Sequence, residues 1–124
     1  MTSTARILIV DDDVEARRSL ARQLRECGYE EIRSEGSAAA ALEAAVSFDP
    51  GIILLDIDLP DMSGYDVARI LHQHPRLQRM RLIALTNHGE HPGREQARES
   101  GFERYLVKPV SAAALHEMLA VASR

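Results

Sequence analysis

Short apolar runs that alternate with helical patterns are the feature that most constrains the fold of this chain. Runs of this kind lie at residues 6–10, 51–55, 80–85 and 105–107, and a weaker one lies at 30–34. They are rich in Ile, Leu and Val without polar alternation, which is typical of strands covered on both faces. Because a helical pattern separates each run from the next, we predict an α/β fold with a doubly wound parallel sheet of five strands and five helices.

The predicted helices are marked by apolar spacing and by capping residues. In the first, apolar residues step by three or four from Ala16 to Cys27, and Gly28 follows as a C-terminal cap. Cys27 is interpreted as a small core residue. The fourth helix, around residues 94–100, is short and weakly patterned. A serine stands at the N-cap position of the second, third and fifth helices, at Ser37, Ser63 and Ser111.

Size and composition narrow the class of protein. The 124 residues suit a single domain over residues 1–124, with a core expected over residues 5–122. A net charge of -4 does not favour nucleic acid as a partner. The single cysteine can form no internal disulfide, and no signal-peptide pattern precedes the first strand. No apolar run approaches the roughly 20 residues that cross a bilayer, so we expect a cytoplasmic protein with no direct contact to membrane or nucleic acid.

Chemically active side chains stand immediately after four of the apolar runs. Parallel strands end on one edge of their sheet, and ligands bind in the crevice outside those ends. Acids, a hydroxyl and an amine should therefore meet there. Asp13 is also the predicted N-cap of the first helix. The residues are Asp11, Asp12 and Asp13 after the first run, Asp56 after the third, Thr86 after the fourth and Lys108 after the fifth.

These residue types suit phosphoryl transfer. Several carboxylates at short range repel one another and call for a cation, and oxygen ligands are those that Mg²⁺ prefers. An aspartate can attack phosphorus and form an aspartyl phosphate. Lysine supplies a positive charge, and threonine a hydroxyl, for phosphoryl oxygens. On this interpretation Asp56 is the nucleophile and the other residues support it.

Four segments together resemble the receiver domain of two-component response regulators. They are "ILIVDDD", "LLDIDLPDMSGYDVA", "ALT" and "GFERYLVKP", which span essentially the whole chain. The resemblance implies a flavodoxin-like fold with the strand order 2-1-3-4-5. It fits both a stand-alone regulator and a receiver of the hybrid-histidine-kinase type. Since the chain ends just after the predicted fifth helix, we expect no DNA-binding or enzymatic output domain.

The resemblance also implies roles for the acids. Asp56 matches the phosphoacceptor, which takes its phosphoryl group from the phosphohistidine of a sensor histidine kinase or of a histidine phosphotransfer domain. Asp11 and Asp12 match the pair that holds Mg²⁺ or Mn²⁺, with Asp12 as the direct ligand and Asp11 acting through water. Asp56 shares this metal, and Asp58 is expected to offer its backbone carbonyl.

The remaining matches concern the switch. Thr86 and Lys108 match the hydroxyl and the lysine that hold the phosphoryl group, and the bond from Lys108 to Pro109 resembles one that is cis in the family. Tyr105 matches the aromatic switch residue that turns inward as the threonine shifts. The resemblance implies that an unidentified downstream protein reads the face formed by the fourth helix, fifth strand and fifth helix.

The loop after the predicted fourth strand departs from the family pattern. Asn87 stands where a very small residue is usual, and His88 follows it. Together with the Asp58 side chain, these residues occupy positions that tune dephosphorylation in the family, so the lifetime of the phosphorylated form stays open. His88 and His91 also suggest a metal pair, but two histidines in a loop are more often solvated.

Two surface features have plain alternatives. The first helix carries a row of arginines, which is either a solvated face balanced by nearby glutamates or a surface for the phosphodonor. The acid Asp61 is interpreted as part of the turn before the third helix. The arginines are Arg17, Arg18, Arg22 and Arg25.

An enzyme is the strongest alternative function. "LLDIDLP" also resembles the first motif of haloacid-dehalogenase-type phosphatases, with Asp56 as nucleophile and Asp58 as general acid. In that family the nucleophile follows the first strand and the acid pair comes late, whereas here the pair comes first and Pro60 replaces a Thr or Val. A receiver-like scaffold without phosphorylation is a third alternative, which is weakened because no essential residue is missing.

Overall fold

All five strands lie in one parallel sheet. The structure is a computed structural model that describes residues 5–87 and 99–122, with side chains up to residue 120. Its strand order is β2-β1-β3-β4-β5, and every neighbouring pair is parallel. The predicted doubly wound order 2-1-3-4-5 is therefore confirmed. The strands are β1 (Ile7–Val10), β2 (Ile32–Glu35), β3 (Ile52–Asp56), β4 (Arg81–Thr86) and β5 (Arg104–Val107).

Helices connect the strands as the sequence predicts. Most of the fourth predicted helix, residues 94–100, falls outside the described residues, so the described ranges contain four of the five. The predicted capping serines are confirmed, since each hydroxyl accepts a backbone N–H from the first turn of its helix. The helices are α1 (Val14–Glu26), α2 (Ala38–Phe48), α3 (Gly64–Gln73) and the C-terminal helix (Ala112–Ala122), with a 3₁₀ turn at Pro75–Leu77.

The sheet is buried on both faces, which explains its continuous apolar runs. Along β1, Leu8 and Val10 point into the core shared with α2 and α3. Ile7 and Ile9 point into the core shared with α1 and the C-terminal helix. Because successive side chains of a strand alternate between faces, both faces need apolar residues. Among the described residues, no helix combines the length and the apolar character needed to cross a lipid bilayer.

The strand register brings the ends of the central strands together. Val10 pairs with Leu55, so Asp11 follows β1 at the level at which Asp56 closes β3. Asp56 in turn pairs with Leu85 of β4. The edge strand β2 begins later than predicted, although the carbonyl of Glu31 just before it still accepts the N–H of Ile7 on β1. The register therefore concentrates the predicted site residues at the carboxyl edge of the central strands.

Candidate functional site

Three carboxylates meet at the carboxyl edge of the sheet. Asp11 and Asp12 follow β1, and Asp56 is the last residue of β3. One oxygen from each of the three lies within 4.8 Å of the others. Asp11 is 0% exposed and Asp56 is 2% exposed, whereas Asp12 faces solvent. Two like charges buried this closely require a cation to compensate them.

Lys108 supplies a cation between the two buried acids. Its Nζ atom lies 2.9 Å from Oδ2 of Asp11 and 3.1 Å from Oδ2 of Asp56. Its backbone N–H donates to the carbonyl of Thr86 at 2.7 Å, which attaches the end of β5 to the end of β4. The peptide bond from Lys108 to Pro109 is cis, as the resemblance to receiver domains implies. The amine thus lies inside the site rather than in solvent.

Backbone donors complete the surroundings of the two buried acids. The N–H of Asp58 donates to Oδ1 of Asp56 at 2.9 Å. The N–H of Asp13 donates to Oδ1 of Asp11 at 2.9 Å. Asp13 is also the N-cap of α1, as predicted, because its side chain accepts the N–H of Glu15. Each buried carboxylate therefore has one backbone donor and the shared ammonium group.

The charges of this cluster shift two pKa values. Burial raises the pKa of Asp56, although the N–H of Asp58 and the charge of Lys108 oppose the shift. Burial alone lowers the pKa of Lys108, but its hydrogen bonds and charge attraction to Asp11 and Asp56 outweigh that effect and raise it. Lys108 therefore stays protonated, and Asp56 is a more basic carboxylate than an exposed aspartate.

The donor set fits a hard divalent cation. All three converging side chains are carboxylates, and oxygen ligands suit Mg²⁺ or Mn²⁺ better than softer metals. Asp12 is exposed, which leaves a side of the cluster open to water or to phosphate oxygens. Among the described residues, this is the single group of three or more His, Cys, Asp or Glu residues with metal-binding spacing.

The loop after β3 folds back directly beneath Asp56. The N–H of Gly64 donates to the carbonyl of Ile57 at 3.0 Å. A Cβ atom at Gly64 would lie 2.5 Å from Cα of Ile57 and 2.7 Å from the backbone oxygen of Asp56. Contacts this short to backbone atoms are not relieved by side-chain rotation. Glycine is therefore required where α3 begins.

Asp61 corrects the sequence interpretation, which treated it as part of a turn. Its two carboxylate oxygens accept the N–H groups of Ala38 and Ala39, at 2.9 and 3.1 Å. These hydrogen bonds lower the pKa of Asp61. Asp61 therefore connects the loop after β3 to the start of α2. No sequence signal marks the contact, because its partners are 22 and 23 residues away and use backbone groups.

Arg17 is the second residue that the sequence placed differently. Its Nη1 atom donates to the backbone carbonyl of Asp11 at 2.6 Å. It also crosses the loop before α2, where a Cβ atom on Gly36 would lie 2.9 Å from Nη1. Arg17 is therefore partly buried beside the site, whereas the other three arginines of the predicted basic face, Arg18, Arg22 and Arg25, are exposed.

The structure describes three more of the predicted site residues. Thr86 is buried as the last residue of β4, beside the end of β3. Asn87 is exposed and lines a groove of about 360 Å³ that also contains Asp13 and Lys108. Asp58 is exposed, with its N–H on the Asp56 carboxylate. His88 and His91 lie outside the described residues.

Tyr105 packs next to a tyrosine that the sequence did not single out. Tyr105 lies on β5 and is partly buried against the core below α3. Burial raises the pKa of Tyr65, and a hydrogen bond with Tyr105 raises it further. Tyr65 also packs edge-on against Phe102, with ring centroids 6.2 Å apart. The predicted switch residue is thus in contact with the first turn of α3.

Sequence comparison assigns this arrangement to a family. The family model for the response regulator receiver domain matches residues 7–120. The chain belongs to this receiver family. A similar curated relative of the receiver is the polar-differentiation response regulator DivK of Brucella ovis, at 38% identity over 109 residues that cover 87% of each chain. The receiver is accordingly a signalling domain of two-component systems, which favours this function over a phosphatase of the haloacid-dehalogenase type.

Solved structures agree with the receiver assignment. A response regulator from Chloroflexus aurantiacus has a TM-score of 0.89 at 28% identity, over 98% of this chain and 100% of that one. The receiver domain of a Pseudomonas aeruginosa sensor histidine kinase has a TM-score of 0.85 at 28% identity, over 96% of this chain and 97% of that one. That structure contains a magnesium ion in its active site cleft. The chemotaxis response regulator CheY4 of Vibrio cholerae has a TM-score of 0.88 at 23% identity, over 96% of this chain and 98% of that one. At this identity the likeness shows a shared fold alone.

Proposed function

We propose that this receiver is a switch whose signal is a phosphoryl group on Asp56. The observation that carries the proposal is the position of the Asp56 carboxylate, at the end of the central strand and bridged by Lys108 to Asp11. In the proposed step a carboxylate oxygen of Asp56 attacks the phosphorus of a phosphohistidine. The phosphorus–nitrogen bond breaks, and the electron pair stays with the histidine of the kinase or phosphotransfer domain.

Lys108 and Thr86 are proposed to hold the transferred group. Lys108 already interacts with Asp56 through its ammonium group, so a phosphoryl oxygen on that carboxylate comes within its reach. Thr86 ends the neighbouring strand and offers its hydroxyl as a second donor. The N–H of Asp58 donates to the other oxygen of Asp56, so both carboxylate oxygens are held in place before transfer.

A divalent cation, Mg²⁺ or Mn²⁺, is proposed to bind the acidic cluster. Asp11, Asp12 and Asp56 are its proposed side-chain ligands, and Asp58 its proposed backbone ligand. Held by these residues, a divalent cation would supply positive charge that offsets the negative charge of the phosphoryl group. The magnesium in the Pseudomonas relative's cleft supports this assignment.

The switch is proposed to pass from Thr86 to Tyr105 and then to a partner protein. Phosphate on Asp56 draws the Thr86 hydroxyl toward the site, and Tyr105 moves inward into the space that this shift leaves. The face read by the partner includes β5, where Val107 is 43% exposed.

The proposal is that of a signalling switch and not of an enzyme with other substrates. Its chemistry is limited to its own phosphorylation and dephosphorylation, with Asp58, Asn87 and His88 proposed to tune the second step. We propose a cytoplasmic location, which agrees with a single cysteine that can form no internal disulfide. No direct contact with nucleic acid or membrane is proposed.

Intact-protein mass spectrometry tests this function. The protein is incubated with a small-molecule phosphodonor and Mg²⁺, alongside Asp56→Asn and the control Asp66→Asn, which removes the same charge from an exposed site on α3. Wild type and the control should each gain one phosphoryl group, and Asp56→Asn none. The proposal is lost if wild type gains none or if Asp56→Asn gains as much. Steady release of phosphate from unrelated phosphomonoesters would favour a phosphatase instead.

A further inference from the structure

The loop after β3, residues 57–63, is held at two places. At its start, the N–H of Ile57 donates to the carbonyl of Leu85 on β4 at 3.2 Å. Near its other end, the Asp61 carboxylate accepts two N–H groups of α2. The loop also forms hydrogen bonds with β3 and α3, the two elements that it joins directly. The residues between them include Asp58, whose N–H contacts Asp56.

The Asp61 contact has a defined geometry. Each of its oxygens has its own donor, Ala38 at 2.9 Å and Ala39 at 3.1 Å, so the orientation of the carboxylate is defined. Ser37 takes the next donor, the N–H of Ala40. A carboxylate at a helix start also interacts favourably with the positive end of the helix dipole. Asp61 and Ser37 together satisfy the free N–H groups of the first turn of α2.

We infer that Asp61 is a positioning residue, which holds the backbone of Asp58 in place against Asp56 by tying the loop to α2. Leu59 is buried between the two ends of this segment, so the loop has little freedom once Asp61 is bound. The inference rests on the proposed function, since it concerns the same carboxylate and the same metal. Its consequence is that α2, which contributes no side chain to the site, controls the geometry of the loop whose Asp58 backbone contacts Asp56.

Graded variants of Asp61 test this inference. Asp61→Asn keeps one acceptor oxygen but replaces the other with a donor that faces an N–H group, and Asp61→Ala removes both acceptors. Mg²⁺ affinity, measured by calorimetry, should fall by about 10-fold in Asp61→Ala, at the lower end of what loss of an outer contact does to a metal site. The Mg²⁺ affinity of Asp61→Asn should lie between those of Asp61→Ala and wild type. The control Asp66→Asn should bind Mg²⁺ like wild type.

A variant of α2 tests whether Asp61 acts through the helix. Ala39→Pro removes one of the two N–H donors at an exposed position in the first turn, where proline is tolerated. It should weaken Mg²⁺ binding less than Asp61→Ala does. The double variant should be no weaker than Asp61→Ala alone, because both changes break the same contact. A merely destabilising pair of mutations would give additive losses instead.

The outcomes separate this inference from the proposed function. If wild type takes no phosphoryl group, the proposed function fails, and the Mg²⁺ measurements still decide the role of Asp61. If wild type is phosphorylated but Asp61→Ala binds Mg²⁺ with unchanged affinity, the inference is overturned. Additive effects of Ala39→Pro and Asp61→Ala also overturn it. Should Asp61→Ala unfold, Asp61→Asn and Ala39→Pro provide the same comparison.

Discussion

The pKa values of two aspartates in this receiver are shifted in opposite directions by their surroundings. Asp56 ends β3 and Asp61 lies in the loop that follows it, yet burial raises the pKa of the first and backbone hydrogen bonds lower that of the second. The difference follows from which protonation state each environment favours. Burial disfavours the charged form, whereas N–H donors favour it. The two residues therefore respond to acid at different pH values.

Acid should remove the contribution of Asp61 to stability. A carboxyl whose pKa is lowered by folding stabilises the protein fully above its unfolded pKa, and this stabilisation is lost as pH falls through the lower folded pKa. The difference in the free energy of unfolding between wild type and Asp61→Asn should therefore be largest near neutral pH and should shrink below the ordinary value of 3.8. Urea unfolding at a series of pH values measures it. A difference independent of pH would contradict the charge-based explanation.

Elements of the fold place the site through close backbone approaches. The start of α3 lies against the end of β3, and Gly64 leaves no room there for a Cβ atom. The strand register also positions the site, because it aligns the ends of β1, β3 and β4 at one edge of the sheet. The backbone of α3 is therefore in direct contact with the backbone at the end of β3. A change at their contact should therefore reach the phosphoacceptor directly.

Gly64→Ala should both destabilise the protein and impair phosphorylation. The added Cβ meets backbone atoms of Ile57 and Asp56, so the end of β3 must shift, at a cost of about 1–3 kcal/mol. Gly51→Ala is the matched control, because its Cβ would lie 3.9 Å from the nearest atom, the backbone oxygen of Arg6. Thermal unfolding and phosphorylation rates should separate the two variants. Equal unfolding temperatures and equal phosphorylation rates of the two variants would show that the close approach of α3 to β3 is unimportant.

Across the whole molecule, the two ends of the strands carry different groups of polar contacts. The carboxyl edge carries the acids and Lys108. At the opposite edge, Arg81 at the start of β4 pairs with Glu103 and donates to the carbonyl of Met118 in the C-terminal helix. Its side chain is only 17% exposed, so these contacts are partly shielded from solvent. The Arg81 contacts and the acidic cluster thus lie at opposite ends of the strands.

Arg81→Lys should lower stability without changing the chemistry of the site. Lysine keeps the charge but cannot bind Glu103 and the Met118 carbonyl together through a planar group. The loss should be about 1–2 kcal/mol in the free energy of unfolding, as for a charged hydrogen bond that is partly lost. Phosphorylation of the folded protein and its Mg²⁺ affinity should be unchanged. A reduced Mg²⁺ affinity would show that the two edges are coupled.

The parts of this receiver that follow from periodicity and strand ends could be predicted from sequence. Apolar runs identified the strands, and their order identified the edge at which Asp11, Asp56 and Lys108 meet. The roles of these residues stay predictions. The contacts of Asp61 and Arg17 were missed, because both residues bind backbone groups whose placement depends on how loops pack. Local patterns contain no information about such contacts.

The bridge between Asp11 and Asp56 has a practical consequence. Lys108 is the only lysine of the chain, and every other basic side chain apart from histidine is an arginine. Isotope labelling restricted to lysine therefore introduces one ammonium signal into the whole protein, at the centre of the acidic cluster. Any event at either carboxylate changes the surroundings of that nucleus. A single resonance can thus follow the site in a crowded mixture, with no engineered tag.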